Sequence, residues 1–271
     1  MLIGVEATLV NLLGGVILLA ITAASYRLHA TDLWGSVSGF GMGLLIALTS
    51  GWAWVAVLIA FLALGSAATK YRYQFKLSIH AAEEKRGARG IRNVVANGAV
   101  AAAVSVLNFV RPSPEFAVLY VAAVASAAAD TLATEIGLLS SHKPVMINRP
   151  SSTLAPGISG GVTLLGEGAA LGGALAMALF GASVGVLHPP LPYLLLAAVG
   201  GFLGCNVDSL LGGSIQALYR CQVCGAATEK KVHCGQPSTW VKGVRAVGNN
   251  EVNLLSDLIT ALVVGAIAFA V

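Results

Sequence analysis

Two carboxylates interrupt a long apolar stretch of the sequence, ASAAADTLATEIGLLS, at residues 125–140. They are Asp130 and Glu135, and the polar Thr131 lies beside the first of them. Five residues turn a helix by about 140°, so the two carboxylates do not share one helical face. Ionisable groups in so apolar a segment are costly and by default indicate a functional site.

Polar groups also lie near the ends of two later apolar stretches. GCNVDSLLGGS contains Asp208, and GNNEVNLLSD contains Asn253. Carboxylates and amides from several helices at one depth supply the oxygen ligands that Mg²⁺ takes in proteins. The stretches therefore predict a magnesium site with the ligands Asp130, Glu135 and Asp208. The alternative is structural, with the same groups hydrogen-bonding to hold packed membrane helices together.

The segment HAAEEKRGARGIRNVVANG, residues 80–98, is densely cationic. Guanidinium groups such as those of Arg89 and Arg92 bind phosphate oxygens through paired hydrogen bonds. Asn93 and Asn97 are four residues apart and share one helical face, which we expect to point towards a headgroup or a nucleotide. The alternative is a basic loop that only marks membrane topology or attracts anionic lipid.

A glycine-rich turn, APGISGGVTLLGEG, precedes the sixth apolar stretch. Free backbone amides at the start of a helix bind anions, so a phosphate is predicted at Gly157, Ser159, Gly160 and Gly161. Lys143, in the polar segment before the turn, would neutralise phosphate oxygens. No Gly-Lys-Ser/Thr follows, so this is not a Walker A motif. The alternative is a flexible turn with close helix packing.

The segment CQVCGAATEKKVHCG, residues 221–235, contains three cysteines and a histidine in the order C-x2-C, then H-C. Three thiolates and one imidazole form a closed tetrahedral ligand set for Zn²⁺. We therefore predict a structural zinc site with the ligands Cys221, Cys224, His233 and Cys234. The alternative is a group of free cytosolic thiols, since a disulfide is disfavoured in that compartment.

The composition defines the setting of these groups. Hydrophobic residues make up 56% of the 271 residues, charged residues only 10%, and the mean hydropathy is +0.81. Soluble domains contain about 25% charged residues, so the chain is predicted to be a polytopic membrane protein. A large soluble enzyme is excluded, and we expect no nucleic-acid partner.

Eight apolar stretches are long enough to span a bilayer. The predicted fold is an all-α membrane helix bundle that forms one integral membrane domain, residues 1–271. Residues 218–250 form a loop insertion that carries the predicted zinc knuckle. The predicted spans are residues 7–25, 34–50, 52–69, 93–110, 115–139, 158–186, 191–217 and 252–271.

The basic residues are distributed unevenly between the connections. Of the 16 Lys and Arg residues, only Arg111 falls in a short turn on one side. The others lie in or beside four polar segments, which eight spans place on the opposite side. The positive-inside rule makes this second side cytoplasmic. We therefore expect a multi-pass cell-membrane protein with cytoplasmic site loops and both termini outside.

Six motifs occur along the chain in a recognisable order: EEKRGARGIRNVVANG, ADTLATEIG, PGISGGVTLLG, GFLGCNVDSLLGG, CQVC…TEKKVHCG and GNNEVNLLS. In these motifs the chain resembles an integral-membrane family that includes transmembrane protein 19 and the plant and cyanobacterial phytyl-phosphate kinase of the vitamin E pathway. The resemblance covers about residues 65–271 and the general layout of the first spans.

The resemblance implies phosphate transfer from a nucleoside triphosphate such as CTP, with Mg²⁺, to a prenyl monophosphate such as phytyl or geranylgeranyl phosphate. The lipid tail would lie between Gly- and Ala-rich spans. The residues that match the family motifs are, in chain order, Arg89, Arg92, Asn93, Asn97, Asp130, Thr131, Glu135, Gly157, Ser159, Gly160, Gly161, Asp208 and Asn253.

Two other functions fit the same residues. A cytidylyltransferase that forms a CDP-lipid would use the same carboxylates, metal and arginines. An ion-coupled transporter also contains intramembrane acids and broken glycine-rich helices, although here the polar groups gather near one face instead of the midplane. The sequence leaves open the lipid chain length, the nucleotide base and the oligomeric state.

Overall fold

The computed structural model of the chain describes residues 2–83 and 85–270. Eight of the helices in these residues are long and apolar enough to cross a membrane, which confirms the predicted all-α bundle. The long helices are α1 (Leu2–Arg27), α2 (Leu33–Ser50), α3 (Trp52–Lys70), α5 (Ile91–Val110), α6 (Pro114–Gly137), α7 (Leu164–Ser183), α8 (Pro190–Ser214) and α9 (Asn249–Ala268), and α4 (Tyr73–Ser78) is a short helix between α3 and α5.

Helix α6 is the centre of the bundle. Its Ala-rich sequence is buried almost throughout, and α3, α5, α7, α8 and α9 all pack against it. Small side chains let neighbouring helices approach closely, which is the usual way membrane helices associate. The buried Tyr120 hydroxyl donates a hydrogen bond to the backbone oxygen of Trp54 at 2.7 Å. Helix α3 is thereby fixed to α6.

The break between the second and third spans depends on Gly51. Its φ of +93° is a backbone conformation that suits glycine. Its amide donates to the backbone oxygens of Ile46 and Ala47 and so ends α2. The chain then enters α3 at Trp52 as a separate helix.

The sixth span begins later than the sequence predicted. Residues 158–163 form a turn and a short strand, and α7 begins only at Leu164. Gly160 has a φ of +83°, which an α-helix cannot accommodate. Thr163 caps α7 by accepting a hydrogen bond from the Gly166 amide at 3.0 Å. The glycine-rich turn therefore precedes the helix by several residues.

The two long polar connections contain small antiparallel sheets. The connection from α6 to α7 holds β1 (Val145–Met146), β2 (Arg149–Thr153) and β3 (Gly161–Val162), with β1 in the middle. The connection from α8 to α9 holds β4 (Leu218–Arg220), β5 (Ala227–Thr228), β6 (Val232–His233), β7 (Gln236–Pro237) and β8 (Thr239–Lys242). In this second group β4 pairs with β5 and β8, and β6 pairs with β7.

The polar connections meet at one end of the bundle, which we call the loop face (residues 28–32, 71–83, 85–90, 138–163 and 215–248). The Arg89 amide donates to the Ala30 oxygen at 3.0 Å, and Lys85 pairs with Asp32 at 2.8 Å. The Ser159 amide bonds Glu229 at 2.7 Å. Most of the basic residues thus lie at one end, as predicted; the assignment of this end to the cytoplasm stays a prediction.

Candidate functional site

Helices α6, α8 and α9 pack closely where Gly204 of α8 faces the other two. A Cβ at this position would collide with the hydroxyl groups of Ser126 on α6 and Thr260 on α9. Only glycine permits this approach. This close contact at Gly204 therefore fixes how the three helices are aligned along the bundle axis, and so which of their polar residues lie at the same level.

One helical turn closer to the loop face lie Asp130 on α6, Asp208 on α8 and Ser256 on α9. The Ser256 hydroxyl donates to the Asp208 carboxylate at 2.9 Å. The carboxylates of Asp130 and Asp208 are close enough for their charges to interact. The structure thus brings together two of the three carboxylates predicted to bind metal. Thr131, the neighbour of Asp130, is half-buried on α6.

A third buried carboxylate in this group, Asp257, was not predicted. It hydrogen-bonds with the Ser126 hydroxyl and interacts electrostatically with both Asp130 and Asp208. The sequence signal was its spacing, because Asp257 is four residues after Asn253 and shares its helical face. We call Asp130, Asp208 and Asp257 the aspartate cluster.

Glu135 has a different partner. Its carboxylate pairs with the ammonium group of Lys76 at 2.6 Å, and the exposed fractions of the two side chains are 5% and 0%. Lys76 also donates to the backbone oxygen of Ala68 at 2.7 Å. The five-residue spacing from Asp130 turns Glu135 towards α4. Its role as a magnesium ligand stays a prediction. In the structure its carboxylate forms an ion pair with Lys76.

Arg89 is near several carboxylates, and its guanidinium interacts electrostatically with Glu83, Glu135 and Asp130. It also lies over the Phe61 ring, 5.4 Å from the ring centroid. Its Nη1 atom is buried and has no hydrogen-bond partner within the described residues. A buried cationic donor without a partner is costly. It is therefore suited to an anionic ligand that enters from outside the protein.

The asparagines form a connected set. The Asn253 side-chain amide donates to Asn97 at 3.2 Å, and the Asn97 amide donates to the backbone oxygen of Asn93 at 2.9 Å. This ties α9 to α5 beside the aspartate cluster. The side-chain oxygen of Asn253, Oδ1, is buried and has no hydrogen-bond partner among the described residues. It can therefore accept a hydrogen bond from a ligand.

An apolar cleft opens between α1, α2, α3 and α5. Arg89, Asn93 and Asn97 line its polar end near the loop face. From Ser25 to Leu18 the cleft follows α1 for about 10 Å into the bundle. The other lining residues are largely apolar side chains and glycines. The cleft therefore combines a hydrocarbon-lined body with a cationic mouth.

A second pocket is polar and lies at the loop face near the start of α9. Arg92, Lys231 and Arg245 line it and supply cationic groups. Arg92 also pairs with Glu251 at 2.6 Å. Although Arg89 and Arg92 are three residues apart, the structure thus directs them into different cavities.

The glycine-rich turn differs from its predicted arrangement. The Ser159 amide, which was predicted to bind phosphate, donates instead to the Glu229 carboxylate. Burial raises the pKa of Glu229. Gly160 lies so close to Gly213 of α8 that a Cβ would clash with the backbone. The turn therefore packs against α8 and the loop insertion, which favours the alternative reading of close packing.

Three further predicted residues lie away from the aspartate cluster. Lys143 is exposed before β1 and, among the described residues, forms no hydrogen bond or ion pair. Gly157 has a φ of +81° and lies against Ala81 of the neighbouring connection. Gly161 belongs to β3 and faces Pro144.

The four residues predicted to bind zinc do converge. The ligand atoms of Cys221, Cys224, His233 and Cys234 all lie within 4.8 Å of one another. A backbone hydrogen bond at Cys224 lowers the pKa of the Cys221 thiol to about 6. The fourth cysteine, Cys205, is buried in α8, as expected of a packing residue.

Sequence comparison identifies the family. The description "Integral membrane protein DUF92" applies to a family whose profile matches residues 16–261 of the chain. The protein belongs to this integral membrane family. The match covers six of the eight long helices in full and parts of α1 and α9, together with both cavities and the loop insertion.

Relatives occur in a plant, a cyanobacterium and an archaeon. Protein PGR of Arabidopsis thaliana is 29% identical over 266 residues, covering 88% of each chain. An uncharacterized membrane protein of Synechocystis is 28% identical, covering 73% of this chain and 77% of its own. One from Methanocaldococcus jannaschii is 26% identical, covering 76% and 83%. No solved structure matches.

Proposed function

We propose that the protein is a membrane-embedded isoprenoid-phosphate kinase. It would transfer the terminal phosphate of a nucleoside triphosphate, such as CTP, to a prenyl monophosphate such as phytyl or geranylgeranyl phosphate. One observation carries the proposal: Arg89 lines the mouth of the apolar cleft and also interacts electrostatically with Asp130 of the aspartate cluster. A lipid with an anionic headgroup fits that combination, and the family resemblance indicates the same chemistry.

The acceptor lipid would bind with its tail in the apolar cleft and its phosphate at the mouth. The unpartnered Nη1 of Arg89 would donate to a phosphate oxygen. Asn93 and Asn97 line the same end and would orient the headgroup. The prenyl tail is already in hydrocarbon in the bilayer, so the headgroup contacts would supply most of the affinity and the cleft would select the tail by its size and shape.

The aspartate cluster fits a divalent cation. Three carboxylates from three helices provide hard oxygen ligands, and without a cation their mutual repulsion is unfavourable. Asp130 and Asp208 would bind Mg²⁺ directly, with Asp257 beside them. A divalent cation held by these carboxylates would supply positive charge that neutralises the nucleotide phosphates. Glu135 is left out of this ligand set because Lys76 already neutralises it.

The donor nucleotide would bind in the polar pocket, where Arg92, Lys231 and Arg245 can neutralise its phosphates. An oxygen of the acceptor monophosphate would attack the terminal phosphorus. The bond to the bridging oxygen would then break, and the nucleoside diphosphate would leave with the electron pair. The acceptor is already an anion, so no strong general base is required.

The reaction would take place at the cytoplasmic side, since nucleoside triphosphates are cytosolic. This requires the loop face to be cytoplasmic, as the basic residues indicate. The orientation can be measured with a membrane-impermeant thiol reagent on spheroplasts. The thiol of a Lys143→Cys variant, at an exposed position of the loop face outside the cysteine–histidine group, should react only after permeabilisation. Labelling of intact spheroplasts would contradict the orientation.

The proposal is tested by following a radiolabel. Purified protein in detergent is incubated with Mg²⁺, a panel of prenyl monophosphates and CTP labelled at either the α- or the γ-phosphate. A kinase transfers only the γ-label to the lipid, giving a prenyl diphosphate. A cytidylyltransferase transfers only the α-label and releases pyrophosphate. Transfer of neither label, with no stabilisation of the protein by CTP and Mg²⁺, would contradict both enzymes and leave the transporter.

The cleft predicts which residues limit the lipid chain length. Gly39 of α2 lines the cleft, and a Cβ added there would meet only the Val94 side chain, at 3.9 Å. We expect Gly39→Leu to fill the cleft without a clash and to lower kcat/KM for a C20 prenyl phosphate at least about tenfold, while a shorter acceptor is affected less. Chain-length profiles of the two proteins check this.

Gly41→Leu is the matched control, because Gly41 lies on the exposed side of α2 with open space around it. It should leave the chain-length profile unchanged. Equal effects of the two substitutions, or none from Gly39→Leu, would show that the cleft does not hold the tail.

A further inference from the structure

The cysteine–histidine group is built from two turns that face each other. Cys221 and Cys224 lie in the turn between β4 and β5. His233 is the last residue of β6, and Cys234 lies in the turn between β6 and β7. In each turn the second ligand is followed by a glycine of positive φ, Gly225 or Gly235. Each hairpin therefore presents a pair of ligands on a tight turn.

Backbone hydrogen bonds shape the first turn independently of any metal. The Cys221 amide donates to the Ala226 oxygen at 2.9 Å, and the Gly225 amide donates to the Cys221 oxygen at 3.1 Å. The Val223 amide lies 3.4 Å from the Cys221 sulfur. Amides that point at a sulfur stabilise it as a thiolate, which is the form that binds metal.

The distances between ligand atoms match those around a tetrahedral zinc ion. With Zn–S near 2.3 Å and Zn–N near 2.0 Å, tetrahedral geometry separates a sulfur from the nitrogen by about 3.5 Å. His233 Nδ1 lies 3.6 Å from the Cys224 sulfur and 3.3 Å from that of Cys234. The four ligand atoms lie within 4.8 Å of one another, which is the size of one coordination sphere.

We propose that Cys221, Cys224, His233 and Cys234 bind one structural zinc ion. On binding, the three thiols release their protons and the neutral imidazole coordinates through Nδ1. The site has four protein ligands and no open position, so it serves folding instead of catalysis. This proposal does not depend on the kinase reaction.

The zinc ion would fix the segment between the two turns. This segment carries Glu229, which binds the Ser159 amide, and Lys231, which lines the polar pocket. The sheet formed by β6 and β7 is only two residues long on each strand, and so short a hairpin is marginal by itself. Metal ligation would therefore hold the loop insertion against the glycine-rich turn.

The test is the zinc content of the purified full-length protein, measured by mass spectrometry after gel filtration in metal-free buffer. We expect about one zinc per chain in the wild type and about a tenth of that or less in Cys224→Ser and Cys234→Ser. Cys205→Ala is the control, because Cys205 lies in α8 away from the group, and it should retain a full complement of zinc.

A second measurement is independent of how the variants fold. Wild-type protein produced with Co²⁺ in place of Zn²⁺ should show the visible absorption of tetrahedral cobalt and strong thiolate-to-metal charge transfer. Wild-type protein without zinc and without the cobalt spectrum would overturn the proposal. So would serine variants that elute as monodisperse protein with full zinc content.

Discussion

The Asp130→Asn substitution is expected to lower the rate of phosphate transfer to a prenyl monophosphate by about 10³-fold or more. The variant keeps the size of the side chain and removes the charge at the centre of the aspartate cluster, where Asp208 and Asp257 lie within range of its charge. Loss of one preorganised group that stabilises transition-state charge typically costs 10²- to 10³-fold, and loss of a metal ligand adds to this. The measurement is kcat with γ-labelled CTP.

Glu115→Gln is the matched control for this experiment. Glu115 lies near the start of the same helix, about 22 Å along its axis from Asp130. It is a carboxylate in the bundle but far from the loop face, so its variant should transfer phosphate at the wild-type rate. If folded, purified Asp130→Asn retained the wild-type rate, the aspartate cluster would not be the reaction site.

Substitution of Lys76 by Met is expected to destabilise the protein by about 3–5 kcal/mol. Lys76 and Glu135 form a fully buried ion pair, and removal of one partner leaves the other charge buried without compensation. The double variant Lys76→Met with Glu135→Gln should recover most of this loss, because it leaves no buried charge. Unfolding of the single and double variants in detergent measures both effects.

The same variants distinguish the two roles of Glu135. If Glu135 serves only the ion pair, the stable double variant should keep the transfer activity to within about threefold. If Glu135 is a magnesium ligand, the double variant should be stable but inactive. A single Lys76→Met variant as stable as the wild type would contradict the buried ion pair itself.

The sequence predicted the parts of the molecule that follow from local pattern. The eight apolar spans and the position of Gly51 depend on hydropathy and backbone conformation along the chain. Asp130 and Asp208 could be placed at one end because both follow a long apolar run towards the loop face. The zinc ligands were recognisable because both pairs lie close together in sequence.

Pairings between distant segments could not be predicted in the same way. The partner of Glu135 is Lys76, 59 residues earlier, and the partner of the Ser159 amide is Glu229, 70 residues later. Neither pair has a sequence spacing from which the interaction could be predicted. The apolar cleft depends on how four helices pack, which hydropathy does not specify. Asp257 had a signal, its spacing from Asn253, but that spacing is equally typical of helix packing.

The central claim is that the aspartate cluster and the polar pocket hold one divalent cation together with a nucleotide. Electron-nuclear double resonance of bound Mn²⁺, in place of Mg²⁺, tests it most directly in the purified protein with CTP. We predict phosphorus hyperfine coupling from the nucleotide in the wild type and in Glu115→Gln, and its loss in Asp130→Asn. Identical phosphorus coupling in Asp130→Asn, or no bound Mn²⁺ in the wild type, would contradict the account.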